Sequence, residues 1–156
     1  MIFTTKEDIE APLEHVFGVV SDFDRFERLA LRRGAEVSRM DRLQQPGLGM
    51  MWHIAFQMRG KRREIQIELT EYDPSNRMVF ESRSPNIGGH MIVDLVALSR
   101  LRTRLGLEIE LKPLTLSTRL LVQSMKLAKG SLNKRFKVRV AEYAKATEDN
   151  YKSRMG

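Results

Sequence analysis

The stretch that decides the fold is Thr115–Arg154, TLSTRLLVQSMKLAKGSLNKRFKVRVAEYAKATEDNYKSR. It holds no proline. Apolar residues recur at helical spacing through it: Leu121, Met125, Ala128, Leu132, Phe136, Val140 and Tyr143, the pattern of an amphipathic helix. Pro113, Thr115 and Ser117 stand where a helix start signal belongs. The reading is one extended helix over 115–154, long enough to cross a small domain. Such a helix cannot bury its apolar stripe alone, so the upstream chain must supply the opposite wall.

That chain opens with Phe3, Thr5, Glu7 and Ile9 alternating against Thr4, Lys6 and Asp8, which predicts a first strand. Pro12 suits the first turn of a helix that carries Val16, Phe17 and Val20 on one side. Ser21-Asp22-Phe23-Asp24 reads as a capping signal, and a second short helix follows with Phe23, Phe26 and Leu29, stopped at Arg32-Arg33-Gly34. Strands come next. Glu36–Leu43 is short. Met50–Met58 puts Trp52, Ile54, Phe56 and Met58 on one face, and Arg59-Gly60-Lys61 is a hairpin tip. Ile65, Ile67 and Leu69 alternate up to a turn cluster at Tyr72–Asn76. Met78, Phe80 and Ser82 form the inner face of the next strand, and Pro85–Gly89 reads as a turn. Met91, Val93 and Leu95 precede a break at Ser99-Arg100, and Thr103, Leu105, Leu107, Ile109 and Leu111 alternate in the last strand. Hairpin links imply an antiparallel sheet, and helices grouped outside the strand run imply an α+β domain. No linker or repeat divides the chain, so residues 1–156 read as a single domain.

This order resembles the helix-grip fold of the START/Bet v 1-like (SRPBCC) superfamily, most of all its polyketide cyclase/dehydrase and lipid-transport family. The matching residues are Ile9-Glu10-Ala11-Pro12, Val16-Phe17, Ser21-Asp22-Phe23, Gly47-Leu48-Gly49 leading into Trp52, Leu95–Leu98, and Thr103-Arg104-Leu105. The resemblance spans the whole chain. It implies a seven-stranded antiparallel sheet wrapped around the long C-terminal helix, two short helices between strands 1 and 2, and a hydrophobic cavity between sheet and helix. The family holds binders, carriers and some enzymes, so the fold alone does not settle function. Glu7 departs from the pattern, standing where an apolar inward residue is usual.

The inward faces converge on one volume. Its expected walls are Trp52, Ile54, Phe56, Met58, Ile67, Leu69, Phe80, Met91, Val93, Leu105 and Leu107, with Leu121, Met125, Ala128 and Leu132 from the long helix. Nine methionines are many for 156 residues. Several fall on these faces, and their flexible thioethers suit a pocket that must fit irregular ligands. Glu7, Ser82 and Thr103 are the inward polar groups that could orient a ligand.

Catalytic patterns are missing. His15 lies off its helix's apolar stripe, and alternation turns His53 and His90 outward, so three histidines do not converge on a metal. No nucleophile elbow, phosphate loop, dinucleotide fingerprint or zinc-helix motif occurs. Without cysteines there are no disulfides or thiolate sites, and a cytoplasmic location is the expectation. No start resembling a signal peptide and no apolar run near the roughly 18 residues of a membrane span is present. No metal or cofactor is expected.

The net charge of +7 is unevenly placed: residues 1–115 balance, while 116–156 carry ten Lys/Arg against three Asp/Glu. That excess suits a solvated outer helix face or weak contact with an anionic membrane surface. No aromatic platform interleaves with it as nucleic-acid binding needs. Three functions stay open: a binder of a small hydrophobic or lipid-like ligand, a cyclase/dehydratase-type enzyme, and a membrane or partner-binding module using the basic helix.

Overall fold

The protein is described by a computed structural model covering residues 1–155. Strand β1 (Ile2–Ile9) is followed by helices α1 (Leu13–Val20) and α2 (Phe23–Arg32). Six strands follow: β2 (Glu36–Arg39), β3 (Met51–Met58), β4 (Lys61–Asp73), β5 (Arg77–Arg83), β6 (Ile87–Ser99) and β7 (Arg102–Pro113). All seven form one antiparallel sheet in the order β1-β7-β6-β5-β4-β3-β2. Each hairpin pairs sequence neighbours, and only β1 reaches across the chain, registering Ile2 with Glu110 and Ile9 with Thr103. Met1 extends the pairing: its amino group donates to the Leu111 carbonyl at 3.2 Å and its carbonyl accepts from the Leu111 N–H.

Local chemistry sets the turns. Arg59 (φ 52°) and Gly60 (φ 75°) are both left-handed, as the tightest β-hairpin link requires. Asp22 caps α2, accepting from the Arg25 N–H at 3.2 Å, while Ser21 beside it bonds back to the Phe17 carbonyl. The expected turn at Pro85–Gly89 is shorter than its sequence suggests. Ser84 Oγ donates to the Ile87 carbonyl and accepts its N–H, so β6 is already running at Gly88-Gly89. A side chain at Gly89 would collide with the Glu110 carbonyl. Glycine is there because β7 approaches so closely. β2 ends early, at Arg39, because Asp41 gathers the chain: its carboxylate takes Arg39, the Leu43 N–H and the Met51 N–H.

The long terminal helix is two helices, α3 (Leu116–Leu127) and α4 (Lys129–Met155). Ala128 at the junction leaves helical geometry (φ −106°, ψ 16°). The Gly130-Ser131 pair just beyond it weakens helix continuity, a recurrent cause of kinks. α4 lies against β1 and α1, with Phe136 packed on Phe3 at 6.0 Å and Val140, Ala144 and Thr147 buried. The core is closed by Ile9, Val16, Leu69, Met78 and Leu105, all at most 1% exposed.

Candidate functional site

A cavity of about 580 Å³ opens between the sheet, α2 and α4, within the few hundred to about 1,000 Å³ usual for small-molecule sites. Its sheet wall is set by cross-strand register. Trp52 faces Ile67, Phe80 faces Met91, and Val93 faces Leu107, which puts these apolar side chains on one face of β3 to β7.

Half of the residues expected from sequence line it: Trp52, Ile54, Ile67, Phe80, Ser82, Met91, Val93, Leu105 and Leu107. The structure places the others elsewhere. Met58 is exposed at the β3–β4 tip, and Phe56 next to it is half-buried outside the cavity. Leu69 is sealed in the solid end of the core. Thr103 is equally buried, and its hydroxyl is consumed by the Ala11 carbonyl at 2.9 Å, holding the chain after β1. Glu7 is half-buried opposite Leu105 and is not part of the wall. Leu121, Met125, Ala128 and Leu132 also miss it: the break at Ala128 makes α3 a separate helix, and Leu132 lies in the first turn of α4, before the part that crosses the cavity. The helix wall is instead Arg139, Val140 and Tyr143.

Sequence reasoning also missed the α2 wall: Phe23, Phe26, Glu27 and Ala30 line the cavity. The amphipathic pattern of α2 was visible, but nothing local says which face of the sheet it covers. His90 and Glu110 border the cavity, and His90 Nε2 lies 2.8 Å from Glu108 Oε2. An acid-rich pair of strands thus occupies this histidine.

One aromatic cluster organises the site. Phe23, Trp52 and Phe80 form a triangle with ring centroids 5.6, 6.2 and 6.2 Å apart, tilted or edge-on to one another, the arrangement aromatic quadrupoles favour. Trp52 is fixed at its N–H edge and on its ring face. Its indole N–H donates to Glu27 Oε1 at 2.8 Å, joining α2 to β3, and the Arg39 guanidinium stacks 5.6 Å from its ring centre. On the helix side Phe26 rests on Tyr143 at 6.4 Å. The Tyr143 hydroxyl is closed off from solvent with no protein partner. Burial pushes its pKa up to about 12.

The arrangement can bury an apolar or aromatic body. Its polar equipment is sparse. Glu27 is engaged by Trp52, Ser82 offers one hydroxyl, and Arg139 is exposed at the wall. Among the described residues no group of three His, Cys, Asp or Glu could hold a metal ion, and no helix is long and apolar enough to cross a membrane.

Comparison with solved structures supports the same frame. The ZhuI aromatase/cyclase from Streptomyces sp. R1128 superposes with a TM-score of 0.68 at 14% identity, covering 100% of this chain and 96% of that one. A START superfamily protein from Mycobacterium smegmatis gives 0.56 at 10% identity, covering 86% and 95%. Ara h 8.0201 gives 0.58 at 12% identity, covering 98% of each chain. At these identities the likeness is one of fold, the helix-grip fold. No curated protein matches the chain. A family model, polyketide cyclase / dehydrase and lipid transport, matches residues 1–148. With nearly the whole chain matched and the helix-grip sheet and cavity in place, the chain belongs to the polyketide cyclase / dehydrase and lipid transport family.

Proposed function

We propose that the protein binds a small hydrophobic, partly aromatic ligand in the cavity between sheet, α2 and α4. The observation that carries this reading is the cavity itself, with the Phe23–Trp52–Phe80 triangle in its wall. Burying 150–250 Å² of ligand surface at roughly 25 cal/mol per Å² contributes about 4–6 kcal/mol before ordering costs. Ser82 and Arg139 are the groups available to orient a polar edge of the ligand. The ZhuI likeness makes hydroxylated polycyclic aromatics a sensible class to screen first, beside fatty acids. Binding is favoured over cyclase chemistry because the acids and the histidine of the wall are already engaged with protein groups: Glu27 holds Trp52, and His90 stands between Glu108 at 2.8 Å and Glu110 at 3.5 Å.

Trp52 is the only tryptophan, so ligand entry reads out as a change in intrinsic fluorescence. Titration with a hydrophobic dye should saturate near one-to-one. Ala30→Trp, which intrudes on the cavity from α2, should weaken it. Ala128→Trp, at the exposed α3–α4 junction, should not. If the void were solidly packed, Ala30→Trp would instead overpack and destabilise by about 1–3 kcal/mol. No dye binding by the wild-type protein, together with that loss, would end the ligand reading.

A further inference from the structure

The apolar ridge on α3 is turned away from the protein. Leu116, Leu120 and Leu127 are 73%, 58% and 92% exposed. At 100° per residue they fall within about 40° of one another around the helix. Thr118 and Val122, on the opposite side, are buried. Thr118 Oγ1 donates to the Asn86 carbonyl at 2.8 Å and closes a reciprocal cap with Thr115, so the orientation of the helix is fixed against the β5–β6 turn. Leu114, just before the helix, is also exposed. Besides its inner side, with Val122 buried and Leu121 and Met125 half-buried, this helix carries a second apolar edge that faces water.

The ridge is flanked by charge of one sign. Residues 116–141 carry Arg119, Lys126, Lys129, Lys134, Arg135, Lys137 and Arg139 and no acid. None of these seven cations is among the described ion pairs, all of which lie on the strands, the β2 segment or the end of α4. A second copy of the chain is a poor occupant, because a two-fold contact through α3 would set two uncompensated cationic faces against each other. The leucines form a ridge rather than a groove, so they suit a surface into which they can sink.

We infer that α3 lies in the interface of an anionic lipid membrane, with Leu116, Leu120 and Leu127 inserted among the acyl chains and Arg119, Lys126 and Lys129 against lipid phosphates. Such a helix binds by apolar insertion and electrostatic attraction together. The inference is independent of the cavity's ligand. It does place one edge of the cavity wall close to the lipid: Leu111 of that wall is three residues before the exposed Leu114.

The full chain should co-sediment with phosphatidylcholine vesicles containing about one-third phosphatidylserine, and weakly or not at all with pure phosphatidylcholine. Molar salt, which shrinks the screening length to about 3 Å, should release it. Arg119→Glu and Lys126→Glu should each weaken binding about fivefold or more, the fold-change expected for about one charge at an anionic surface. Replacing Leu116, Leu120 and Leu127 together by serine should remove most of the remaining binding. Thermal unfolding and dye titration of Trp52 should stay as in the wild type, which separates this outcome from a failure of the cavity reading. Three results would overturn the inference: no binding to either vesicle, equal binding to both, or vesicle binding untouched by the serine triple variant. A dimer in solution that the triple variant dissolves would reassign the ridge to self-association and overturn it as well.

Discussion

Glu27→Ala tests the joint between α2 and the sheet. Glu27 Oε1 accepts the Trp52 indole N–H at 2.8 Å. Trp52 is only 6% exposed, so truncating Glu27 strands a buried donor. A hydrogen bond to a charged group contributes about 1.5–3 kcal/mol, and an orphaned buried donor costs about 1–3 kcal/mol. Glu27 is itself half-buried, which places the expected loss near the lower end, about 1.5–2 kcal/mol. For a chain of this length that lowers Tm by roughly 3–8 °C. The change also removes one of the contacts, beside those of Phe23 and Phe26, that hold α2 over the cavity, so bound dye should dissociate faster. Circular dichroism melts give the stability, Trp52 emission gives the environment of the indole, and stopped-flow displacement gives the release rate. A double-mutant cycle with Trp52→Phe, read by circular dichroism, isolates the pair and should return a coupling of about 1 kcal/mol or more. If Glu27→Ala melts with the wild type, leaves the emission maximum in place and releases dye at the same rate, α2 is not tethered as described.

Three further outcomes follow from the geometry. Tyr143 has a folded pKa raised from 10.0 to about 12, so its contribution is intact below pH 10 and is lost as pH rises from 10 to 12, by up to about 3 kcal/mol. Alkaline unfolding of Tyr143→Phe should lack that loss, and the variant should be about 1 kcal/mol more stable at neutral pH because an unpartnered hydroxyl is gone. Asp41 is held well below the usual carboxylate range, first by its hydrogen bonds from Arg39 and then by the Met51 and Leu43 N–H groups against the opposing effect of burial. Its contribution is therefore full above about pH 4 and falls away as pH drops further, and denaturant melts of Asp41→Asn should show a shallower acid slope than the wild type. Gly89→Ala should cost several kcal/mol or abolish soluble expression, since its Cβ meets the Glu110 carbonyl, whereas at Gly88 the nearest atom to the new Cβ is 3.6 Å away, so Gly88→Ala should cost under about 1 kcal/mol by chemical denaturation.

Much of the fold was readable because a half-buried antiparallel strand writes its facing into every second residue. Trp52, Ile54, Ile67, Phe80, Met91, Val93, Leu105 and Leu107 could be assigned to one wall from alternation alone, and the cross-strand register agrees. What alternation does not give is depth. Leu69 and Thr103 point the same way as their neighbours but lie where the core is solid, and Met58 points that way beyond the end of the cavity. The helix wall was misplaced for a different reason. The stripe from Leu121 to Tyr143 keeps its period across Ala128, and Gly130-Ser131 weakens a helix without forbidding one. The residues after the break, Arg139, Val140 and Tyr143, therefore form the wall in place of those before it. The contribution of α2 depends on tertiary contacts, Glu27 with Trp52, Phe23 with Trp52 and Phe80, and Phe26 with Tyr143, which no sequence window contains.

The pairing of β1 with β7 has a consequence for synthesis. The Met1 amino group finds its partner 110 residues later, at Leu111. At a ribosomal rate of roughly 5–20 residues per second, the first strand waits on the order of 5–20 s for the strand that completes it. During that interval Phe3 and Ile9 have no β7 to pair beside, while the β3-to-β7 hairpins can close one after another as they emerge. Until β7 is made, β1 is thus the strand left unpaired. A circular permutant that moves β1 behind β7 would need a redesigned path into α3, but it would make this long-range strand pair local and should fold faster.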